Sequence, residues 1–337
     1  MTTASSAPLL KVRNLSVYFR LEEGVLTAVD RISFDVFGGQ ILGLVGESGS
    51  GKSMSMLALA RLIPQDIGII AADELSFDGE PVLSMNTRQL KALRGPGIGF
   101  IFQNPLSSLN PLLTIGSQIS ESLRSHMGLS RKAAATRTID LLARVGIPDP
   151  KQRVDDYPHQ FSGGMRQRAM IAMAIACEPK LILADEPTTA LDVTIQAQIL
   201  ELLVSIVEET GAGVIIVTHD LGVAANICDH VNVMYAGQIV ESAPVDDLFY
   251  RPSMPYTWGL LDSIPRIDHA ATDVLPFIGG RPPDPMDFGS ACRFAPRCSY
   301  ARPACIARMP NLSDRDGVAH LARCLGTESS GWLEVQS

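Results

Sequence analysis

The fold is decided by the stretch Ile41-Leu42-Gly43-Leu44-Val45-Gly46-Glu47-Ser48-Gly49-Ser50-Gly51-Lys52-Ser53. Residues 41–45 form a short continuous apolar run, which is typical of a strand buried on both faces. The following eight residues fit the pattern G-x-x-x-x-G-K-[ST]. A helix is predicted next, from Met54 to Leu62, and it ends before Pro64. A glycine-rich turn between a strand and a helix is the context in which this pattern binds phosphate.

The chemistry of this loop follows from its residue types. Its glycines let the backbone turn several N–H groups toward one point, at a helix N-terminus where the dipole favours an anion. Lys52 is expected to reach the β- and γ-phosphates of a nucleotide, and Ser53 to ligate Mg²⁺. The alternative is a glycine-rich turn with an incidental lysine, which the flanking strand and helix disfavour. The predicted phosphate-binding residues are Gly46, Glu47, Ser48, Gly49, Ser50, Gly51, Lys52 and Ser53.

Further apolar runs alternate with helical segments along the chain. Strands are predicted at 181–184 and 214–217, with a helix over 194–210 between them. This alternation predicts an α/β fold with a mostly parallel sheet that is covered on both sides. Residues of about 107–170 differ, because segments 133–145 and 164–177 are typical of helices and no convincing strand lies between them. We therefore expect a helical insertion in the sheet domain.

Two adjacent carboxylates follow the predicted strand at 181–184. The C-terminal end of such a strand faces the ligand crevice of an open α/β sheet. Asp185 at this position is suited to a Mg²⁺ contact, and Glu186 to polarising an attacking water. The alternative is an acidic pair at the start of a helix, which the nearby phosphate loop makes less favourable.

Composition excludes several classes of protein. The chain has 337 residues, with Lys+Arg 28 against Asp+Glu 36 and a net charge of −8, so it lacks the basic footprint of a nucleic-acid binder. It contains no apolar stretch long enough for a transmembrane helix. Segment 1–8 has neither a charged nor an apolar region, and is not expected to be a secretory signal.

A second candidate anion site lies at Ser162-Gly163-Gly164-Met165, where a serine and two glycines open a predicted helix. One nucleotide rarely needs two phosphate-binding helix ends on one chain, whereas two chains arranged head to tail would use both. With this motif the sequence resembles the ATP-binding cassette (ABC) transporter ATPases, over residues of about 9–245. The resemblance implies a P-loop ABC cassette over 9–250. It has a RecA-like, mostly parallel sheet, an N-terminal antiparallel β part and a helical subdomain at about 107–170.

The resemblance also implies roles for individual residues. Gln103 matches the Q-loop, which senses Mg²⁺ or the γ-phosphate and faces the membrane subunits. Residues 162–165 match the signature motif, which binds the γ-phosphate held by the opposite subunit; the family usually has Gln where this chain has Met165. Asp185 and Glu186 match the Walker B aspartate and the catalytic glutamate. The remaining matches are the D-loop residue Asp192, the switch histidine His219 and the adenine-stacking aromatic Phe19, with Tyr18 as an alternative.

The C-terminal part, residues 251–337, has a different composition. The segment Met254-Pro255-Tyr256-Thr257-Trp258 and the spacing C-x5-C-x6-C-x18-C of Cys292, Cys298, Cys305 and Cys324 resemble the irregular extension of oligopeptide and dipeptide importer ATPases. Met254 stands where that subfamily has His. Four thiolates suit zinc or an iron–sulfur cluster, and unligated thiols are the other alternative. The resemblance favours a [4Fe–4S] cluster, with Arg297 as a nearby positive charge. Cys177 and Cys228 are expected to be buried small hydrophobes.

Taken together, these features predict an ATP-hydrolysing subunit of a bacterial-type importer for di- or oligopeptides, peripheral to the cytoplasmic face of the inner membrane. Its expected cofactors are ATP, Mg²⁺ and the cluster. Its expected partners are a second ABC ATPase, two transmembrane permease subunits and an extracytoplasmic peptide-binding protein. We interpret the second ATPase as a paralogue, and we expect no nucleic acid as a partner. The alternatives are import of nickel, glutathione or another small solute, a non-transport ABC ATPase, and a regulatory subunit without hydrolysis.

Overall fold

The structure is a computed structural model that describes residues 7–264, 277–315, 319–328 and 331–333. Its strands are short except for the first two. They are β1 (Leu10–Leu21), β2 (Gly24–Val36), β3 (Ile41–Val45), β4 (Gly68–Ala71), β5 (Glu74–Phe77), β6 (Glu80–Pro81), β7 (Ile98–Ile101), β8 (Leu181–Asp185), β9 (Gly213–Thr218), β10 (His230–Tyr235), β11 (Gln238–Pro244), β12 (Ser313–Asp314) and β13 (Leu321–Ala322).

The helices range from single turns to five turns. They are α1 (Lys52–Leu59), α2 (Thr87–Leu93), α3 (Pro105–Ser108), α4 (Ile115–Met127), α5 (Arg131–Arg144), α6 (Pro150–Arg153), α7 (Gly163–Ile175), α8 (Val193–Thr210), α9 (Leu221–Ile227), α10 (Val245–Tyr250), α11 (Pro255–Asp262) and α12 (Pro303–Ala307). The helix after the phosphate loop thus begins at Lys52, two residues before the predicted start.

The chain forms two compact units, each assembled from several segments. The first comprises Met1–Leu10, Asp35–Ile41 and Ser76–Val217. The second comprises Lys11–Phe34, Leu42–Leu75 and Thr218–Ser337. The candidate phosphate loop belongs to the second unit, and residues 103, 162–165, 185, 186 and 192 belong to the first.

The first unit contains a parallel sheet in the order β7-β8-β9. Ile98 pairs with Leu181, and Leu181 pairs with Gly213. Every residue of β8 and β9 is buried. Strands whose two faces are both covered need continuous apolar runs, which is the pattern that predicted them. The sheet holds the carboxyl end of β8, and with it Asp185, in a fixed position.

Helices α3 to α7 fill the fully described stretch between β7 and β8. The helices α4, α5 and α7 contact one another through their apolar faces. Each begins at a hydroxyl residue whose side chain accepts a hydrogen bond from the first turn: Thr114, Ser130 and Ser162. Such caps satisfy N–H groups that the helix itself leaves without acceptors. This packing fixes the orientation of α7 and of the motif at its start.

In the second unit, β3 is followed in the sheet by β10 and β11. The strand β10 pairs with β3 in parallel and with β11 in an antiparallel arrangement that has a bulge between Val233 and Met234. The sheet continues beyond β11 into β13 and β12, which come from the C-terminal extension. The extension, predicted to be irregular, therefore also contributes two short strands and the helices α11 and α12.

The N-terminal strands make the antiparallel part that the family resemblance implied. The strand β1 is hydrogen-bonded to β2 and runs antiparallel to β4, with Phe19 opposite Gly68. Among the described residues, no helix combines the length and the apolar character that crossing a membrane requires.

Candidate functional site

The phosphate loop has a backbone that only glycine fits at two positions. Gly46 has φ of +146°, and a Cβ built on it would lie 2.1 Å from the carbonyl oxygen of Met234. Gly51 has φ of +104°, and its Cβ would lie 2.5 Å from the carbonyl oxygen of Ala28. L-residues with a side chain avoid this region, and both contacts are shorter than any real Cβ tolerates. The glycines of the motif are therefore required by the packing of the loop against β10 and β2.

Lys52 is held inside the curve of this loop. It is the first residue of α1 and is 5% exposed. Its Nζ donates to the carbonyl oxygens of Gly46 at 2.7 Å and Glu47 at 2.8 Å. A buried ammonium at a helix N-terminus forms a concentrated positive site for a phosphate group. The next residue, Ser53, is half-buried.

Glu47 is held by two residues of the C-terminal extension that were not predicted to act on the loop. Its carboxylate forms an ion pair with Arg297, and its backbone N–H donates to the Tyr256 hydroxyl at 2.9 Å. The expectation that Arg297 supplies charge to the cysteines is corrected here, because its guanidinium is directed to Glu47. Arg297 and Glu47 are 250 positions apart along the chain, so no local sequence pattern predicts their pairing.

In the first unit, Gln103 and Glu186 meet at the carboxyl ends of β7 and β8. The Gln103 Nε2 donates to the Glu186 Oε2 at 2.9 Å, and the Thr189 hydroxyl donates to the same oxygen at 2.7 Å. Glu186 has φ of +47°. Asp185 ends β8 and is 7% exposed. The structure thus brings together two predicted catalytic residues, and Thr189 is an additional contact that sequence reasoning missed.

The predicted signature motif opens α7 as an exposed helix start. The Ser162 hydroxyl accepts from the Met165 N–H at 3.3 Å, and Ser162 and Gly163 are exposed. Gly164 packs closely on the next helix, because a Cβ on it would lie 2.9 Å from the Ile195 Cγ2. An exposed helix start of this kind suits an anion.

The remaining predicted residues lie at separate positions. Asp192 is exposed and caps α8, where its carboxylate accepts from the Ile195 N–H at 2.9 Å. His219 is exposed and directly follows β9. Phe19 lies on β1 against Gly68, whose Cβ would meet the Phe19 ring at 3.3 Å.

The four C-terminal cysteines line one small, mainly apolar cavity together with Met254, Phe294 and Trp332. Burial raises the pKa of the Cys298 thiol to about 11 and raises that of Cys292 as well. In the part of the chain that the structure describes, no group of three or more His, Cys, Asp or Glu side chains is arranged to hold a metal ion. The expected cluster is therefore not supported by ligand geometry.

The other two cysteines are buried, as predicted. Cys177 is 6% exposed, and burial raises its pKa. Cys228 is also 6% exposed, and burial raises its pKa to about 12. Both thiols therefore stay protonated and behave as small apolar groups.

Two family models match the chain. Residues 29–189 match the ABC transporter model, and residues 240–305 match the model described as oligopeptide/dipeptide transporter, C-terminal region. The first match contains the phosphate loop, Gln103, the signature motif and Glu186. The fold and these motifs define an ABC-type ATPase.

Relatives are similar over nearly the whole chain. A putative peptide import ATP-binding protein of Brucella abortus is 49% identical over 95% of both chains. The oligopeptide transport ATP-binding protein OppD of Bacillus subtilis is 48% identical over 87% of this chain and 82% of its own. The chain belongs to the ABC transporter family, as one of its ATPase subunits with an oligopeptide/dipeptide-type C-terminal region.

Solved structures show the same fold. A dimeric ATP-binding cassette in a post-hydrolysis state with ADP and phosphate matches with a TM-score of 0.62 and 28% identity, over 70% of this chain and 98% of its own. The cassette cbiO1 of Clostridium perfringens, part of the ABC transporter complex cbiONQ, matches with a TM-score of 0.62 and 27% identity, over 72% and 91%. The predicted fold class is confirmed.

Proposed function

We propose that this protein is the ATP-hydrolysing subunit of an importer for di- or oligopeptides. The observation that carries the proposal is the buried Lys52 inside a glycine-lined loop at the start of α1, in a chain that matches the ABC family. Support for a peptide cargo comes from the names of the relatives and from the C-terminal region model.

The phosphate loop and the start of α1 would bind the phosphates of ATP. Lys52 neutralises charge on the β- and γ-phosphates, and the loop N–H groups orient them. Ser53, Gln103 and Asp185 would hold Mg²⁺; their hydroxyl, amide and carboxylate oxygens are the donors that this ion prefers. When bound, Mg²⁺ neutralises developing negative charge on the phosphates. Phe19 would stack on the adenine.

Hydrolysis requires a group that orients the attacking water. Glu186 has a carboxylate fixed by Gln103 and Thr189, and it would accept the proton of the water as general base. His219 would stabilise charge in the transition state. The Gln103 amide links the carboxylate to the segment after β7, which is exposed at Phe102 and Leu106. Movement of that segment would therefore alter the position of the general base.

The exposed start of α7 supports a second ATPase subunit. Ser162–Met165 would contact a nucleotide held by the partner, and Asp192 would lie at the same contact. A similar cassette has been solved as a dimer with ADP and phosphate. We propose a paralogue as the partner, because the resemblance of the C-terminal extension to the oligopeptide and dipeptide importer subfamily favours an asymmetric pair.

The other partners follow from the importer function. Since the importer class needs a pore, two transmembrane permease subunits and an extracytoplasmic peptide-binding protein would complete the complex. The ATPase would then be peripheral, on the cytoplasmic face of the membrane. No nucleic acid is required, in keeping with the net charge of −8.

For the C-terminal extension we propose a [4Fe–4S] cluster on Cys292, Cys298, Cys305 and Cys324. The support is that all four line one cavity, and that thiolates are the ligands such clusters use. Binding would require the thiols to lose their protons and to approach one another more closely than in this structure. The cluster would contribute folding free energy.

Iron and sulfide analysis after anaerobic purification tests the cluster. The full chain should contain stoichiometric iron and sulfide and absorb visible light, and Cys298→Ala should lose both. Cys177→Ala is the matched control and should retain them. Zinc in place of iron, or metal-free wild-type protein, would contradict the proposal.

The function itself is tested on the complex purified from membranes. ATP hydrolysis should depend on the permease subunits and should rise when the binding protein is loaded with peptide. The co-purified subunits identify the second ATPase as identical or a paralogue. Stimulation by nickel or glutathione but not by peptides would contradict the cargo, and absence of permease subunits would contradict transport.

A further inference from the structure

The residue after the first glycine of the phosphate loop is fixed by the C-terminal extension. Arg297 forms a forked ion pair with Glu47: its Nη1 donates to Oε2 at 2.7 Å and its Nη2 donates to Oε1 at 2.9 Å. The Tyr256 hydroxyl accepts from the Glu47 backbone N–H at 2.9 Å. These partners are 250 and 209 positions away along the chain. Both the side chain and the main chain of Glu47 are therefore held from outside the loop.

Arg297 is itself fully constrained. Its Nε donates to the Gly279 carbonyl at 2.9 Å, its Nη2 to the Ile278 carbonyl at 3.0 Å and its Nη1 to the Tyr235 hydroxyl at 3.4 Å. With the two bonds to Glu47, every N–H donor of the guanidinium has an acceptor. The side chain is 4% exposed. A planar cation held in this way has a single orientation, and it cannot follow Glu47 if the loop shifts.

Tyr256 is equally fixed, because it is fully buried in an aromatic cluster. Its ring centroid lies 4.6 Å from that of Tyr235 and 5.3 Å from that of Phe294. Phe294 lies in the segment between two of the cavity-lining cysteines. The hydroxyl is therefore presented to Glu47 by the packed core of the extension.

A second contact reaches the loop through the turn between β10 and β11. Arg293 donates to the Ala236 carbonyl at 2.5 Å and forms an ion pair with Asp30. The neighbouring Gly237 N–H donates to the Ser50 carbonyl at 2.9 Å. The extension therefore supports the phosphate loop at two points, directly at Glu47 and through this turn at Ser50.

These contacts have an electrostatic and a geometric consequence. A carboxylate in a phosphate-binding loop repels a triphosphate, and Arg297 offsets that charge at hydrogen-bonding distance. The loop N–H groups bind phosphate only in one arrangement, which the fixed position of Glu47 helps to maintain.

We propose that Arg297 and Tyr256 are positioning residues for nucleotide binding, and that through Glu47 the C-terminal extension sets the affinity of the phosphate loop for ATP. This inference rests on the proposed assignment of residues 46–53 to the phosphates of ATP. It deepens the proposed function by giving the extension a part in binding ATP.

The test measures KM and kcat for ATP in the assembled membrane complex. Arg297→Ala should raise KM roughly tenfold while kcat stays within about twofold, because ground-state binding is lost and the chemical groups remain. Arg297→Lys should raise KM less, since it keeps the charge but loses the fork. Tyr256→Phe removes one hydroxyl and should raise KM several-fold.

Two further variants separate this role from a merely structural one. Adding Glu47→Gln to Arg297→Ala removes the uncompensated carboxylate, so the double variant should have a lower KM than Arg297→Ala alone. Arg302 belongs to the same extension but stacks on Trp332, 4.6 Å from its ring centroid, so Arg302→Ala should keep the wild-type KM.

The outcomes are distinguishable from failure of the proposed function. Wild-type KM in both Arg297→Ala and Tyr256→Phe would overturn the inference, as would a fall in kcat alone. If the Arg297→Ala variant does not assemble into the membrane complex, the KM of Tyr256→Phe alone tests the inference. A wild-type complex that hydrolyses no ATP would instead contradict the proposed function.

Discussion

At the scale of single residues, Glu186 has a backbone that its residue type disfavours. Its φ of +47° is uncommon outside glycine, and its N–H donates to the Val217 carbonyl at 3.0 Å. Its carboxylate is held by two side-chain donors at the end of β8. Strained backbone at the tip of a strand is a frequent property of functional sites. The geometry thus agrees with a carboxylate that must point in one direction.

The first prediction concerns this carboxylate. Glu186→Gln should bind ATP with near wild-type affinity and lose kcat by about 100-fold or more, because the amide cannot accept a proton from water. Nucleotide binding and steady-state hydrolysis are measured in the complex. Glu201→Gln, on the exposed face of α8, is the matched control. Near-normal hydrolysis by Glu186→Gln would exclude it as general base.

At the scale of elements, several predicted site residues also terminate helices. Ser162 caps α7 and Asp192 caps α8, so each has a local structural function that is independent of any nucleotide. An alanine variant at either position would therefore lose both the helix cap and the contact with nucleotide, and its loss of activity could come from either. Substitutions that keep the cap but change the chemistry are needed to separate them.

Asp192 offers such a substitution and gives the second prediction. Asp192→Ala should lower the free energy of unfolding by about 1 kcal/mol, since the Ile195 N–H loses its acceptor. Asp192→Asn caps equally well and should leave stability nearly unchanged. Denaturant unfolding measures both. If Asn keeps the stability but slows ATP hydrolysis, the carboxylate acts at the subunit contact; equal loss of stability in both variants would contradict the capping role.

The third prediction concerns the start of β10. Burial, aided by the charge of His320, lowers the pKa of His230 from 6.5 to about 4. Between these values the unfolded chain binds a proton that the folded protein does not, so the free energy of unfolding falls as pH drops. The loss is at most about 3 kcal/mol over this window.

Thermal unfolding between pH 7 and pH 4 checks this expectation. His230→Gln should reduce the dependence of Tm on pH, because the titrating group is gone. Exposed His159 is the control, and His159→Gln should follow the wild-type curve. An unchanged pH dependence in His230→Gln would show that other groups cause it.

At the scale of the whole molecule, the extension is part of the second unit's core. Tyr256 is fully buried, and Glu241 of β11 is bonded to the backbone N–H groups of Ser253 and Met254 and to His320. All of these partners come after residue 250. The predicted domain boundary near residue 250 therefore falls between groups that stabilise each other.

The fourth prediction is that truncation after Tyr250 strongly destabilises the chain. It should lower Tm by roughly 10 °C or more, because a buried carboxylate loses its partners. In the truncated chain, Glu241→Gln removes the charge and should recover part of this loss. The measurement is thermal unfolding of the truncated chain with and without Glu241→Gln, beside the full chain. A truncated chain as stable as the full one would contradict the prediction and would support an independent cassette ending at residue 250.

The sequence predicted those parts of the fold that local patterns determine. The runs at 41–45 and 214–217 correspond to β3 and β9, because a strand buried on both faces needs an unbroken apolar run. The helix α4 was not predicted; it is rich in serine, and its packing on α5 and α7 outweighs weak helix propensity. The contact between Arg297 and Glu47 joins positions 250 apart, and no local pattern encodes it.

The pairing of β13 with β11 has a consequence for the subunit before it meets other proteins. Without β13, the outer side of β11 would expose a row of unused backbone donors and acceptors, which invites pairing with another chain. Glu241 and Ser242 are the β11 residues that β13 covers. By covering this edge, β13 blocks a route to aggregation during the interval between synthesis and assembly.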